Sequence, residues 1–539
     1  MATSTLQPLV GSFTTAHAVL RAAALAAPDR EAFVDGGSGE RITFGEWDHQ
    51  SDSVAFALQR LGVVRGDVVS MILPSSIDYA VIYQAAMRLG AVTSGINPRL
   101  GPRERSYILE HTTPKVTIVD ARLVDLPTLS TPTVSTHTVT RSVVAAWRSG
   151  PTLASSENPT VGEDDLVAIV WTSGTTGMPK GAMFDHGCLK AMAAAAGELT
   201  APGDRKLSPL PFAHIGYMTR PWDEISNLVT TVICATPWKP DETLALIARE
   251  RVTLCQGVPT QYDMLFRQPT FDSTDFSSLR LVGFGAARIP PEMVREAKKR
   301  FGTPCIVRFA STESSVCTGT RLDDDDETIA NTVGRPGAGV ELVLRDDDGR
   351  AVATGEVGTV CVRSRAQMLG YWNDPARTAE AIDADGWLIT GDLGRFDERG
   401  VLSLVGRRTE MYIRSGYNVY PAEIENLLGE HPSLSRIAIV GVPTSVVGEM
   451  GVAYVVPAGA YAGLPVGSVQ SPGSGSLLDE LRIVCRDELA DYKAPECLVV
   501  LPDLPLTSML KVDKRALAAR WAETDLPRFL ETSTQRRKP

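Results

Sequence analysis

The chain has 539 residues, more than one hydrophobic core ordinarily serves, so two or more domains are expected. A composition of 43% hydrophobic and 22% charged residues is that of a globular protein, and a net charge of −11 with no basic stripe argues against a nucleic-acid partner. Eight cysteines with no Cys-x-x-Cys pair give neither a zinc nor a disulfide framework and fit a reducing cytoplasm, and no uncharged apolar run is long enough to span a bilayer.

The Ala-rich segment 16–27 contains His17 and Arg21 and lacks a basic leader, so it predicts an amphipathic first helix rather than a signal peptide. From 31 to 160 short strands alternate with helices. Arg41-Ile42-Thr43 leads into a helix with Thr43 as N-cap and Glu46 three positions on. Residues 68–73 read as a buried strand, 79–89 as a helix ended by Gly90, and 115–119 as the next strand. The Thr/Ser/Pro-rich stretch 124–160 is expected to wander over the surface. Such alternation argues for a parallel α/β sheet.

Leu166-Val167-Ala168-Ile169-Val170 reads as one more buried strand, and 188–196 as a helix of strong helix formers. Between them lies Thr172-Ser173-Gly174-Thr175-Thr176-Gly177-Met178-Pro179-Lys180-Gly181. Its glycines allow close backbone approach, and its four hydroxyls and one cation offer donors to an anion, which suits a polyphosphate. It is not a Walker A loop, because Lys180 follows Pro179 and no Ser or Thr comes after it.

Residues 229–235 and 279–283 predict further strands and 290–300 a helix. From about 337 the texture turns to β, with strands at 340–344 and 359–362 and a hairpin signal at Asp346-Asp347-Asp348-Gly349. Gly406-Arg407-Arg408-Thr409-Glu410 is a short polar link, and a domain boundary is placed there: 1–406, a hinge at 407–410, and 411–539. The second part reads as α+β, with helices at 421–429 and 477–489 and strands at 437–442 and 452–456. The uncharged Gly/Ser/Pro-rich stretch 459–476 is expected to be a disordered loop.

Several strand ends carry chemistry. Thr312-Glu313 puts a hydroxyl and a carboxylate after the strand 305–309, where open α/β sheets bind ligands, and Glu313 suits Mg²⁺, which prefers hard oxygen. Gly283-Phe284-Gly285-Ala286-Ala287 is a turn of small residues that lets a flat base lie against backbone. Asp392, in Thr390-Gly391-Asp392, can accept two hydrogen bonds from a ribose. Arg220 and Asp223 read as part of a solvated helix face, and the acidic run 323–327 as a solvated loop, since adjacent carboxylates cannot all face one ion.

Taken together these strings resemble the adenylate-forming superfamily of acyl-CoA synthetases, adenylation domains and luciferases. Six motifs occur in that family's order over nearly the whole chain. The resemblance implies a large N-terminal α/β domain of several subdomains with a β-subdomain, and a small mobile α+β C-terminal domain. It implies that Thr172, Ser173, Gly174, Thr175, Thr176, Gly177 and Lys180 hold the phosphates of ATP, and that Thr312 and Glu313 serve the α-phosphate and Mg²⁺. Gly285, Ala286 and Ala287 match the adenine turn, Asp392 the ribose ligand and Arg407 a nucleotide-binding arginine. His214, in Pro211-Phe212-Ala213-His214, matches a histidine at the acyl entrance. In Leu504–Lys514, Lys511 matches the catalytic lysine, where the family usually has Gly at the position of Leu510. Gly416, in Arg414-Ser415-Gly416-Tyr417, matches the glycine facing the pantetheine tunnel, and Thr409 stands at the pivot. The family's Tyr-Gly before Thr-Glu is here Phe309-Ala310.

The implied reaction has two steps. A carboxylic acid attacks the α-phosphate of Mg·ATP to give acyl-AMP and pyrophosphate, and CoA then takes the acyl group. The acceptor can instead be a carrier protein, or the fold can serve as a degenerate nucleotide sensor. The acid and the oligomeric state stay open at this point.

Overall fold

A computed structural model describes residues 8–9, 11–122, 137–153, 159–172, 178–285, 287, 289–415, 417–444, 448–473, 475–507 and 510–523. Two large α/β sheets meet in the first 336 residues. One runs His137–Thr140, Val116–Val119, Val68–Ile72, Val92–Gly95, Leu166–Thr172 in parallel, then Lys180–Asp185 antiparallel at the edge. The other has nine strands, and six of them are parallel neighbours: Cys305–Ser311, Leu281–Phe284, Leu254–Gly257, Arg205–Ser208, Thr230–Ile233 and Glu31–Asp35. Their strands are buried almost throughout, as continuous apolar runs require. Helix Ile77–Arg88 lies in the core between layers, with every residue buried. The predicted capping box holds: Glu46 N–H donates to Thr43 Oγ1 and Thr43 N–H to Glu46 Oε2.

An antiparallel four-stranded sheet follows, Val340–Arg345, Gly358–Ser364, Leu388–Phe396 and Leu402–Arg407. Beyond Arg407 the chain turns, and Tyr412–Arg414 opens a new sheet of six strands built around the long hairpin Leu434–Thr444 and Gly448–Pro457. Its own core includes Tyr412, Ile424, Leu428, Ala453 and Leu481. Contacts back to the first part include the Arg436–Asp263 ion pair and a hydrogen bond from Arg267 to Ser435 at 3.1 Å.

Three expectations need correction. The stretch expected to wander from 124 to 160 contains His137–Thr140, which completes a sheet edge, and the helix Arg141–Trp147, tied down by Arg141 and Arg148 to buried Asp78. The stretch 459–476, expected to be disordered, holds a turn at Gly459–Tyr461 and the strand Val469–Gln470, paired with Cys497–Val500. The phosphate-loop segment does not lead straight into a helix. It joins two antiparallel strands, Leu166–Thr172 and Lys180–Asp185, and the helix begins only at His186.

Candidate active site

Thr172 ends its strand opposite Lys180. Residues Ser173, Gly174, Thr175, Thr176 and Gly177, between the two in sequence, lie outside the described residues, as do Ala286 and Gly416. The Thr172 hydroxyl is buried and has no hydrogen-bond partner among the described residues. It is therefore a donor at the foot of the loop still in want of an acceptor.

The edge strand Lys180–Asp185 is covered by a second chain segment. Trp372 N–H donates to Gly181 O at 2.7 Å, Met183 N–H to Gly370 O at 3.0 Å, and Ala182 bridges Tyr371. This brings Tyr371, which no sequence motif singled out, against the loop. Lys180 Nζ donates to the Tyr371 hydroxyl at 3.0 Å and lies 4.5 Å from its ring centre. The same hydroxyl donates to Glu313 Oε1 at 2.9 Å. Burial and the adjoining Glu313 carboxylate push the phenol's pKa up, so it stays a donor. Lys180, Tyr371 and Glu313 thus form one chain of contacts. Glu313 is fixed further by Met368 N–H, which donates to its carbonyl at 2.8 Å. Thr312 stands beside it, half-buried.

Asp392 lies opposite Arg407 on neighbouring antiparallel strands. Arg407 Nε donates to its Oδ1 at 2.9 Å, while Oδ2 is buried without a partner in the described structure. The residue is 5% exposed, and burial raises its pKa against the lowering pull of Arg407. An acceptor oxygen held in this way fits a hydroxyl donor such as a ribose. Gly391, directly before it in the strand Leu388–Phe396, takes φ +75, a backbone conformation that glycine adopts without strain.

Lys511 comes from the far end of the chain. Leu506 bridges Val512, Thr507 N–H donates to Lys511 O at 2.7 Å, and Leu510 N–H to Thr507 O at 3.0 Å, so the lysine sits in a tight loop. Leu510 takes φ +58, the left-handed region that a glycine occupies without strain. The lysine is half-buried. Burial first, and the Arg407 charge second, lower its pKa to about 8, with Asp392 opposing. His214 feels the same cation: burial, then Lys511, lower its pKa to about 3. The imidazole is therefore neutral at neutral pH. Its Nδ1 accepts the Gly216 N–H at 3.3 Å, capping the short helix Ile215–Met218, which leaves Nε2 as a donor.

Six separated segments thus converge, bringing together Thr172 and Lys180, His214, Glu313, Tyr371, Asp392 with Arg407, and Lys511. Gly285 follows the strand Leu281–Phe284, where a Cβ would stand 3.4 Å from Arg308 O, and Ala287 comes two residues on. Phe309 is buried among Ala195, Cys317 and Val340 and offers no open stacking face. Thr409 is exposed in the turn between the third and fourth sheets. The acidic run 323–327 is taken up in ion pairs: Asp324 with Arg335, Asp326 with Lys298, and Glu327 with Arg295. The expectation of a solvated face at Arg220 and Asp223 is overturned. Each is 3% exposed, and the two are ion-paired around Thr200 Oγ1. The helix Pro221–Ser226 is covered by His186–Ala196 and the first helix, so its charged face looks inward.

The chain matches the family described as AMP-binding enzyme over residues 20–372, and the AMP-binding enzyme C-terminal domain over 423–511. An indoleacetate–CoA ligase of Aromatoleum aromaticum is 33% identical over 484 residues, which cover 87% of this chain and 92% of that one. A long-chain-fatty-acid–CoA ligase of Mycobacterium tuberculosis is 29% identical over 514 residues, covering 94% and 98%. Among solved structures, ATP-bound MatB from Rhodopseudomonas palustris superposes with a TM-score of 0.82 at 27% identity, over 94% of this chain and 99% of that one.

Proposed function

The chain belongs to the AMP-binding enzyme family, and on that premise we propose how its residues divide the work. The activity is that of an AMP-forming acid–thiol ligase: a carboxylic acid is activated by ATP as acyl-AMP, and the acyl group passes to CoA as a thioester. In the first step a carboxylate oxygen bonds to the α-phosphorus and pyrophosphate departs. In the second the CoA sulfur bonds to the acyl carbon, AMP departs, and the thiol proton goes to solvent.

One observation carries the division of roles. Lys511, from the C-terminal segment, is electrostatically coupled to Asp392 and Arg407 on one side and to His214 on the other. In our reading Asp392 Oδ2 accepts from the ribose, and Gly285 to Ala287 lie against the adenine. The hairpin from Thr172 to Lys180 holds the β- and γ-phosphates. Lys511 bridges the α-phosphate and the incoming carboxylate, offsetting their repulsion and the charge that develops between them. His214 presents Nε2–H to the carboxylate and, being neutral, orients it without acting as a base.

Glu313 would hold Mg²⁺ through a carboxylate oxygen, with phosphate oxygens completing the shell, as this hard ion prefers. The ion would neutralise phosphate charge. Tyr371 fixes the Glu313 carboxylate, and Lys180 in turn donates to the Tyr371 hydroxyl. The second step needs Lys511 withdrawn and Gly416 presented, and the turn carrying Thr409 is our candidate pivot.

The test is product analysis with Mg·ATP, CoA and a panel of carboxylic acids. Equal amounts of AMP, pyrophosphate and thioester are expected. Acid-dependent ADP, or a thioester formed only on a carrier protein, would refute the reading.

A further inference from the structure

Arg436 joins three parts of the chain that lie far apart in sequence. It stands on the strand Leu434–Thr444 of the C-terminal part. One of its nitrogens, Nη2, pairs with Asp263 on the helix Pro259–Phe266 of the first part. The other, Nη1, pairs with Asp503 at 2.7 Å, eight residues before Lys511. Asp263 is held in turn: its Oδ1 accepts from Arg267 Nε at 3.0 Å, and Arg267 Nη2 donates across to Ser435 Oγ at 3.1 Å. Two residues one helical turn apart thus meet two consecutive residues of a strand. Consecutive strand side chains normally point to opposite faces. Here the register against Gly448–Pro457 shifts between Leu434 and Arg436, so Ser435 sits in a bulge, a feature that re-aims side chains.

Both ends of this link are anchored. The hydroxyl of Tyr262, next to Asp263, donates to Gly283 O at 2.9 Å and fastens the helix to the strand that leads into Gly285. Asp503 is followed by buried Leu504, and Pro505 O accepts the Asp513 N–H at 2.8 Å, which closes the loop that carries Lys511. Arg436 therefore connects the framework under Gly285 with the root of the lysine loop. Its side chain is 17% exposed and that of Asp263 23%. A pair so placed is dry enough to hold a position and wet enough to part without stranding two buried charges. Arg295 also reaches across, to Glu430 at 3.6 Å, but it is shared with Glu292 and Glu327.

We infer that Arg436 is a positioning residue for the first half-reaction: through Asp263 and Asp503 it latches the C-terminal part onto the helix Pro259–Phe266 with Lys511 at the nucleotide, and it lets go of Asp263 for thioester formation. This rests on the ligase reading above.

Acid-dependent ATP–pyrophosphate exchange, and thioester formation from preformed acyl-AMP and CoA, are measured separately on the full chain. Arg436→Ala should lower the first by about tenfold and leave the second unchanged or faster. Arg436→Lys should recover part of the exchange, and Asp263→Asn should show the same split. An arginine with a merely structural role would lower both half-reactions together with the unfolding midpoint. All eight native cysteines are buried, so a chain carrying Asp263→Cys and Arg436→Cys can be joined at that pair by a reversible bis-methanethiosulfonate reagent. Joining should restore exchange and stop thioester formation, and dithiothreitol should reverse both. Exchange within about twofold of wild type in Arg436→Ala, equal losses in both half-reactions, or a joined enzyme that still makes thioester overturns the inference. If Arg436→Ala fails to fold, Asp263→Asn and the joined pair decide. A wild type with neither half-reaction for any acid refutes the ligase reading and the latch with it, whereas normal half-reactions in every variant refute the latch alone.

Discussion

Replacing Lys511 gives the most informative perturbation, because its charge state is readable from its surroundings. Burial and Arg407 lower its pKa to about 8, so in the free enzyme about a tenth is neutral at pH 7 and about nine-tenths at pH 9. The depressed pKa fixes the sign: the cation is present below pH 8 and is lost as pH rises through it. Acid-dependent ATP–pyrophosphate exchange, measured as kcat/KM for ATP, should fall on the alkaline side with a midpoint near 8. Bound Mg·ATP adds anionic charge, so the same limb in kcat should lie higher. Lys511→Ala should reduce exchange by about 10²–10³ at pH 7.5, the usual cost of removing one preorganised group from a transition state. Lys511→Arg should keep a fraction of the rate and lose the alkaline limb, since arginine does not titrate there. Thioester formation from preformed acyl-AMP should be nearly unaffected in both variants. An unchanged alkaline limb in Lys511→Arg, or exchange within about threefold of wild type in Lys511→Ala, would refute the role.

Asp392→Asn removes charge from the carboxylate that faces Arg407 and leaves one acceptor oxygen, so the Kd for AMP should rise by about tenfold or more in equilibrium titration; an unchanged Kd would remove Asp392 from the ribose site. Leu510→Gly should raise the unfolding midpoint or leave it unchanged without lowering exchange, because relief of the left-handed strain at φ +58, about 1 kcal/mol, offsets the glycine's chain entropy; a clear loss of both would show that the side chain holds the loop. Acid stability should follow His186, which is fully buried, accepts the Ala16 N–H at 3.1 Å and has its pKa lowered by burial to about 4. The unfolded chain binds this proton first, so stability is full above pH 6.5 and is lost between about 6.5 and 4, by about 2 kcal/mol at pH 5. A His186→Asn variant whose unfolding midpoint falls as steeply as wild type between pH 7 and 5 would contradict that.

Thr312-Glu313 was legible because it directly follows a regular strand, Cys305–Ser311. Asp392 instead lies in the middle of the strand Leu388–Phe396, and Thr172 ends a strand whose partner is a second strand and not the expected helix. Tyr371 was not legible, because its partner Glu313 lies 58 residues away and Gly370-Tyr371-Trp372 carries no local pattern of function. The burial of Arg220 and Asp223 was hidden for a related reason. Charged residues on a short helix normally face water, and only the cover supplied by His186–Ala196 turns them inward. The strand Lys180–Asp185 was missed because it is short, follows a proline and gains its pairing from both sides only in the folded chain. In each case a sequence-distant partner decides the outcome.

The central claim is a two-stage reaction in one site, and a chase experiment tests it most directly. The enzyme is mixed with Mg·ATP and a turned-over acid in the absence of CoA, then CoA is added to the isolated complex. One equivalent of bound acyl-AMP with pyrophosphate already released is expected, followed by its conversion to acyl-CoA and AMP. Formation of thioester with no acyl-AMP preceding it, or acyl-AMP that CoA cannot discharge, would contradict it.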